Sequence, residues 1–279
     1  MKTAVSLLFG CFLLVQHASA QIFCSAKDSS KWEVLRNLKQ ESPLKTWEKV
    51  TSSLLKTPYV ANTLEVAEDT ALVINFMGLD CVTFIESTIS TVRTLHISEK
   101  NDFATFAENL EELRYRAGKL QGYASRLHYT SEWMEQNAQK GFGSLVNGNN
   151  FVAKEFKLNF MSTHADSYPL LRNKTHLASI IEMEKRISPK LFFLPKEKIS
   201  LSEKDLHHGD MFGIVTRIKG LDIAHTGFIY KKNGVSYLLH ASSANGKVEI
   251  SELSLSDYLK KSKSQTGIVV FRWLDTVHS

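Results

Sequence analysis

Helical spacing dominates the first two thirds of the chain and alternation the last third. "SSKWEVLRNLKQ" carries Trp32, Leu35 and Leu38 at three-residue spacing, and "SPLKTWEKVTSSLL" opens with Ser42 and Pro43, a capping residue followed by a first-turn proline. Two short strand-like pieces follow, "NTLEV" and "ALVINF", before Gly78 breaks the pattern. From Asp80, "DCVTFIESTISTVRTL" places Cys81, Ile85, Ile89 (or Thr88), Val92 and Leu95 (or His96) on one helical face, which predicts a helix that starts at the cysteine. Helical patterns return in "FATFAENLEELRYRAGKL", "YTSEWMEQNAQK" and "THLASIIEMEKRI", with a mixed strand and loop stretch, "FVAKEFKLNFMSTHADSYPLL", between the last two. After Pro195 the chain reads as short strands: "GDMFGIVTRI", "DIAHTGFIYK", "VSYLLHASS", "KVEIS" and "GIVVFRWL", with one helix around "LSLSDYLKK". The predicted class is α+β, helices first and an antiparallel sheet last.

One turn in that sheet decides where two histidines go. Asn233-Gly234 is a strong two-residue hairpin signal. It pairs Lys232 with Val235, so His225 falls opposite Ser242 and His240 opposite Gly227. His225 and His240 then sit diagonally on one face, about 7–8 Å apart between backbones and within side-chain reach. A four-residue loop would set them directly opposite each other, and a three-residue loop would put them on opposite faces.

Composition adds bounds. The chain has 279 residues, 43% hydrophobic and 23% charged, with no low-complexity tract or internal repeat to mark a linker. The start, "MKTAVSLLFGCFLLVQHASAQ", has a basic residue at Lys2, an apolar run from Ala4 to Val15 and a small-x-small end at Ala18-Ser19-Ala20. It predicts a secretory leader over residues 1–20 and a single domain over 21–279, because the run falls well short of the roughly 20 residues a membrane-crossing helix needs. "LLFGC" ending at Cys11 is a crude lipoprotein-like pattern, but the apolar run continues past the thiol. The expected product is exported, periplasmic or secreted, without stable membrane insertion. Net charge +5, spread over scattered lysines, gives at most a weak pull toward anionic surfaces and no basic-aromatic stripe for nucleic acid.

With Cys11 in the leader, Cys24 and Cys81 remain, enough for one disulfide in an oxidising compartment. Cys81 has a second reading. A thiol at a helix start lies at the positive end of the macrodipole beside unpaired N–H groups, which favour thiolate and can hold an oxyanion. Asp80 is the natural N-cap, although its charge opposes a lowered thiol pKa. The bland alternative is a small buried hydrophobe. Two converging imidazoles beside a side-chain-free glycine tilt the balance: one can take the thiol proton while the other orients it.

The ordered set "DCVTF", "GDMFGIVT", "AHTGFIY" and "LLHASS" resembles the NlpC/P60 papain-like cell-wall peptidases, and most closely the N-acetylmuramoyl-L-alanine amidase-like branch (DUF1460), in which "GLD.AHTG" and "LLHASS...VEIS...L.DYL" recur together. The resemblance runs from about Tyr59 to Leu274. It implies a papain-like core, a nucleophile helix packed on an antiparallel sheet, with residues 101–186 a mostly helical insertion walling the substrate groove. It also implies Cys81 as nucleophile, His225 as general base and His240 as the orienting residue, with Tyr59 near the oxyanion. Asp80, Tyr59 and Ser242 are the candidates for substrate contact. The implied partner is peptidoglycan or a muropeptide, with no metal or organic cofactor.

Rival readings remain. "HHGD" offers His207, His208 and Asp210 to a zinc amidase, but neighbours on a strand point to opposite faces. A wall-binding protein without chemistry would have no need of Cys81, His225 and His240 together. Within the enzyme reading, the muramoyl–alanine amide and a stem-peptide bond such as the γ-D-glutamyl link are both open.

Overall fold

The computed structural model describes residues 21–65 and 70–277; the expected leader lies outside the described residues. After a short strand β1 (Gln21–Phe23), helices α1 (Ala26–Leu35) and α2 (Pro43–Leu54) form where the spacing predicts. The Ser42 hydroxyl accepts from Lys45 N–H, an N-cap worth about 1 kcal/mol. Residues 62–64 of "NTLEV" are turn rather than strand, and β2 (Ala71–Val73), within "ALVINF", is extended in parallel with β1.

Helix α3 (Cys81–His96) starts at the cysteine. The predicted stripe Ile85, Ile89, Val92 and Leu95 is buried, but so are Phe84, Ser87, Thr88, Ser90 and Thr91. A central helix, enclosed by α2, α4 (Phe103–Arg114) and the sheet, replaces the one-sided helix that periodicity suggests. Two of its hydroxyls bond back to the helix: Thr91 and Thr94 donate to the carbonyls of Ser87 and Ser90.

Residues 101–186 hold α4, α5 (Thr130–Gln139), a one-turn α6 (Phe160–Thr163) and α7 (Lys174–Arg186), but also strands β3 (Ser144–Leu145) and β4 (Val152–Glu155). Both strands join the main sheet, β3 beside Phe271 and Arg272 and β4 on β5 (Lys190–Pro195). "KLFFLP", directly before the point where alternation becomes visible, is thus a strand that periodicity does not reveal. The remaining strands are β6 (Met211–Thr216), β7 (Ile223–Lys232), β8 (Val235–Ser242), β9 (Lys247–Ser254) and β10 (Gln265–Arg272), with α8 (Leu255–Lys260) before the last. The sheet is antiparallel throughout, ordered β4-β5-β10-β6-β7-β8-β9.

Alternation along these strands splits the core in two. Phe228, Leu239, Ala241 and Phe271 pack with α2 and α3 on one face; Phe212, Ile214, Ile229 and Leu238 pack with Leu255 and Leu259 of α8 on the other. A buried ion pair ties α3 to the helical segment beyond it. Glu86 accepts from Arg114 Nε at 2.7 Å and from Trp133 Nε1 at 3.1 Å, and Arg114 also donates to the Val73 carbonyl. No described helix is long and apolar enough to cross a membrane.

Candidate active site

Asp80 caps α3 with one carboxylate oxygen, which accepts from the N–H groups of Val82 (3.0 Å) and Thr83 (2.7 Å), while Thr83 Oγ1 accepts from Asp80 N–H. The cap uses that oxygen and fixes the first turn, so the Cys81 thiol projects from a rigid helix start. Cys81 is partly buried and free, as is Cys24, whose sulfur lies 3.9 Å from Ser29 Oγ; the disulfide that the sequence permits is not formed. Burial, then the Asp80 carboxylate, push the Cys81 thiol up to about 12, against the pull of N–H groups of Thr226, Cys81 and Val82. Desolvation and the capping charge therefore outweigh the N–H groups at the helix start.

Helix α3 packs on β7, near enough that the Thr226 N–H acts to lower the Cys81 thiol, so the helix start sits beside the His225–Gly227 stretch. Asn233 and Gly234 both take positive φ (51° and 79°) and pair Lys232 with Val235, the register that the two-residue turn predicts. Along that register the two imidazoles meet: His225 Nε2 and His240 Nδ1 are 2.6 Å apart, the rings nearly perpendicular at 81°. Gly227 makes the approach possible, because a Cβ there would stand 2.6 Å from the Leu239 carbonyl oxygen and 2.8 Å from His240 Cβ. Burial lowers His225 to about 3 and His240 to about 4, so both rings are neutral over the physiological range.

Tyr59 arrives from the loop after α2. Tyr59 N–H donates to the Gly246 carbonyl, and the flanking Pro58 and Val60 hydrogen-bond to Leu79 across a parallel bridge. Its phenol, pushed up to about 12 by burial and by the nearby Cys81 and Asp80 charges, stays protonated and can donate. Ser242 is buried, its hydroxyl accepting from Asn245 N–H where β8 turns into β9.

His208 and Asp210 have other work. His208 Nδ1 accepts from Lys231 N–H and its ring packs edge-on against Trp47; Asp210 pairs with Arg272 at 2.8 Å and accepts from His207 N–H. Among the described residues no group of three His, Cys, Asp or Glu side chains is placed to hold a metal ion.

Three participants escaped the sequence reading. Thr226 contributes through its backbone, for which side-chain identity is no guide. Glu249 pairs with His240 across β8 and β9 and its charge opposes the lowering of that histidine; the next turn, "SANG" between Ser242 and Lys247, sets that pairing. Tyr258 of α8 lies 6.0 Å from His240, ring to ring. Beside His240 and Ser242, along β9, opens a cleft of about 810 Å³. Cys81 lies outside its lining, so the cleft approaches the histidine side of the site.

Residues 49–268 match the AmiA-like family, described as N-acetylmuramoyl-L-alanine amidase-like. The chain belongs to this family. A solved N-acetylmuramoyl-L-alanine amidase from Bacteroides uniformis is 34% identical, with 82% of this chain and 98% of that one aligned at a TM-score of 0.77. A Bacteroides fragilis protein described as a candidate xylanase is 36% identical over 80% of this chain and 98% of its own, at 0.73. A Legionella pneumophila protein of the DUF1460 family, at 20% identity, 88% and 94% coverage and a TM-score of 0.68, shares the fold. No curated protein matches the chain. Membership of the amidase-like family implies a hydrolase with a peptidoglycan substrate.

Proposed function

We propose that this amidase-like protein is an exported cysteine hydrolase on a papain-like core, periplasmic or secreted, that cleaves the amide between N-acetylmuramic acid and L-alanine. The observation that carries the reading is the His225–His240 contact at 2.6 Å, next to Thr226, whose backbone N–H acts on the Cys81 thiol.

His225 Nε2 is engaged by His240, which leaves Nδ1 to serve Cys81; a base at Nδ1 requires the tautomer in which Nε2 carries the proton and donates to His240 Nδ1. The resting pair is a neutral thiol and a neutral imidazole, since burial disfavours charge on both. As the sulfur attacks the amide carbonyl, His225 Nδ1 takes the thiol proton and returns it to the leaving amine of L-alanine. Water then enters, gives its proton to His225, and releases the muramoyl carboxylate from the thioester. His240, close to the Glu249 carboxylate, steadies the imidazolium while it lasts. The Cys81 N–H and the Tyr59 phenol are the donors for the oxyanion.

The test is incubation of purified protein with intact muropeptides, alone, with iodoacetamide and with a chelator, followed by mass spectrometry. Release of a bare stem peptide, blocked by iodoacetamide and indifferent to chelator, is expected. Cuts within the stem would move the activity to a γ-D-glutamyl-type bond, and activity that survives complete alkylation would remove Cys81 from the mechanism.

A further inference from the structure

The cleft along β9 points to what its occupant must carry. β9 is the edge of the sheet, and the loop after α2 covers only its beginning: Lys56 N–H donates to the Val248 carbonyl and Val248 N–H to the Thr57 carbonyl. Beyond Val248 the outer edge of the strand faces the cleft, a surface that an extended peptide can line. Three ammonium groups border it, Lys56, Lys247 and Lys261, each exposed and none in an ion pair with a described residue. Two carboxylates, Glu249 and Glu252, share the lining, and Asn245 Nδ2 donates to Glu249 at 2.6 Å. His240, the partner of the ring that hands a proton to the leaving amine, is part of the lining.

We infer that this cleft binds the peptide on the amine side of the scissile bond, a zwitterionic stem whose carboxylates meet Lys56, Lys247 and Lys261 and whose side-chain ammonium meets Glu249 and Glu252. The direction follows from the chemistry: the group protonated by His225 leaves on the histidine side, so the chain attached to it extends past His240. The glycan lies on the other side, toward Cys81 and Tyr59. The charge count agrees, because a stem such as L-Ala-γ-D-Glu-L-Lys has two carboxylates beyond the reacting end against one side-chain ammonium. This inference rests on the amidase reading for the identity of the peptide and for the direction of the chain.

Binding separates the two claims. Calorimetric titration of Cys81→Ala protein with L-Ala-γ-D-Glu-L-Lys is expected to give saturable binding. The added substitutions Lys56→Met, Lys247→Met and Lys261→Met together are expected to weaken it tenfold or more, and amidation of the D-glutamate α-carboxyl severalfold. The glycan disaccharide alone is not expected to displace the peptide. Equal binding by the triple-lysine protein, or displacement of the peptide by the disaccharide, overturns the inference. Failure of wild-type protein to cleave muropeptides, with peptide binding intact, would instead count against the nucleophile assignment and leave the subsite standing.

Discussion

Replacing Gly227 with alanine adds one methyl group at the point where β7 and β8 hold the two histidines together. The new Cβ would stand 2.6 Å from the Leu239 carbonyl oxygen, 2.8 Å from His240 Cβ and 3.0 Å from Phe212 Cζ, whereas ordinary contact begins at 3.4 Å. Relief requires β8 to withdraw by about 0.8 Å at Leu239, the backbone carbonyl being unable to rotate away within a paired strand. Overpacking of this kind costs about 1–3 kcal/mol, which leaves a typical domain folded. The same displacement stretches the His225–His240 contact from 2.6 Å to about 3.4 Å, beyond the useful range of a hydrogen bond. Misplacement on this scale is worth up to about 100-fold in rate. Gly227→Ala is therefore expected to lower the urea midpoint modestly while reducing kcat on muropeptides by about 10- to 100-fold with little change in KM. Urea titration followed by tryptophan fluorescence and steady-state assay by product mass would check both. A variant with wild-type kcat would refute the claim that the glycine is there for the histidine contact.

Cys81→Ala and His225→Ala should each abolish turnover without loss of fold, whereas His240→Ala should slow it less, as read from kcat and a thermal melt. Alkylation of Cys81 by iodoacetamide should accelerate steadily with pH up to at least 9, because the thiol is pushed up to about 12; a rate plateau beginning near pH 5 would reveal a preformed thiolate and contradict this. Since His225 and His240 are lowered to about 3 and about 4, the unfolded chain binds the extra protons between those values and the usual 6.5. Stability should then be full above pH 6.5 and fall as pH drops from 6.5 toward 4, and replacing both histidines with glutamine should flatten that slope in urea titrations. Arg114→Met should cost about 3–5 kcal/mol by stranding the Glu86 carboxylate, with most of the loss recovered in the Glu86→Leu, Arg114→Met double variant; an unaltered melting temperature for the single variant would contradict the burial of that pair.

The parts of this site that could be read from the sequence are those governed by short-range rules. A two-residue Asn-Gly turn has one strand register, so His225 and His240 could be brought together from residue order alone, and a break at Gly78 followed by Asp80 marked the start of α3. What stayed hidden depends on distant packing. Polar residues on every side of α3 gave no sign of a central helix, because Thr91 and Thr94 satisfy their hydroxyls within it. "KLFFLP" is too short to show a period, and its strand character comes from partners in β4 and β10. The thiol's electrostatics were legible only in part: position at a helix start suggested a lowered pKa, while burial, invisible in the sequence, raises it.

The Glu86 cluster gives residues 101–186 a second duty. Arg114 and Trp133 from that segment grip the helix whose first residue is Cys81, so a segment that lines no part of the β9 cleft still sets the pitch of that thiol. Recombining this segment between relatives would transplant that grip, and a chimera that ignores Glu86 would carry a misaligned thiol.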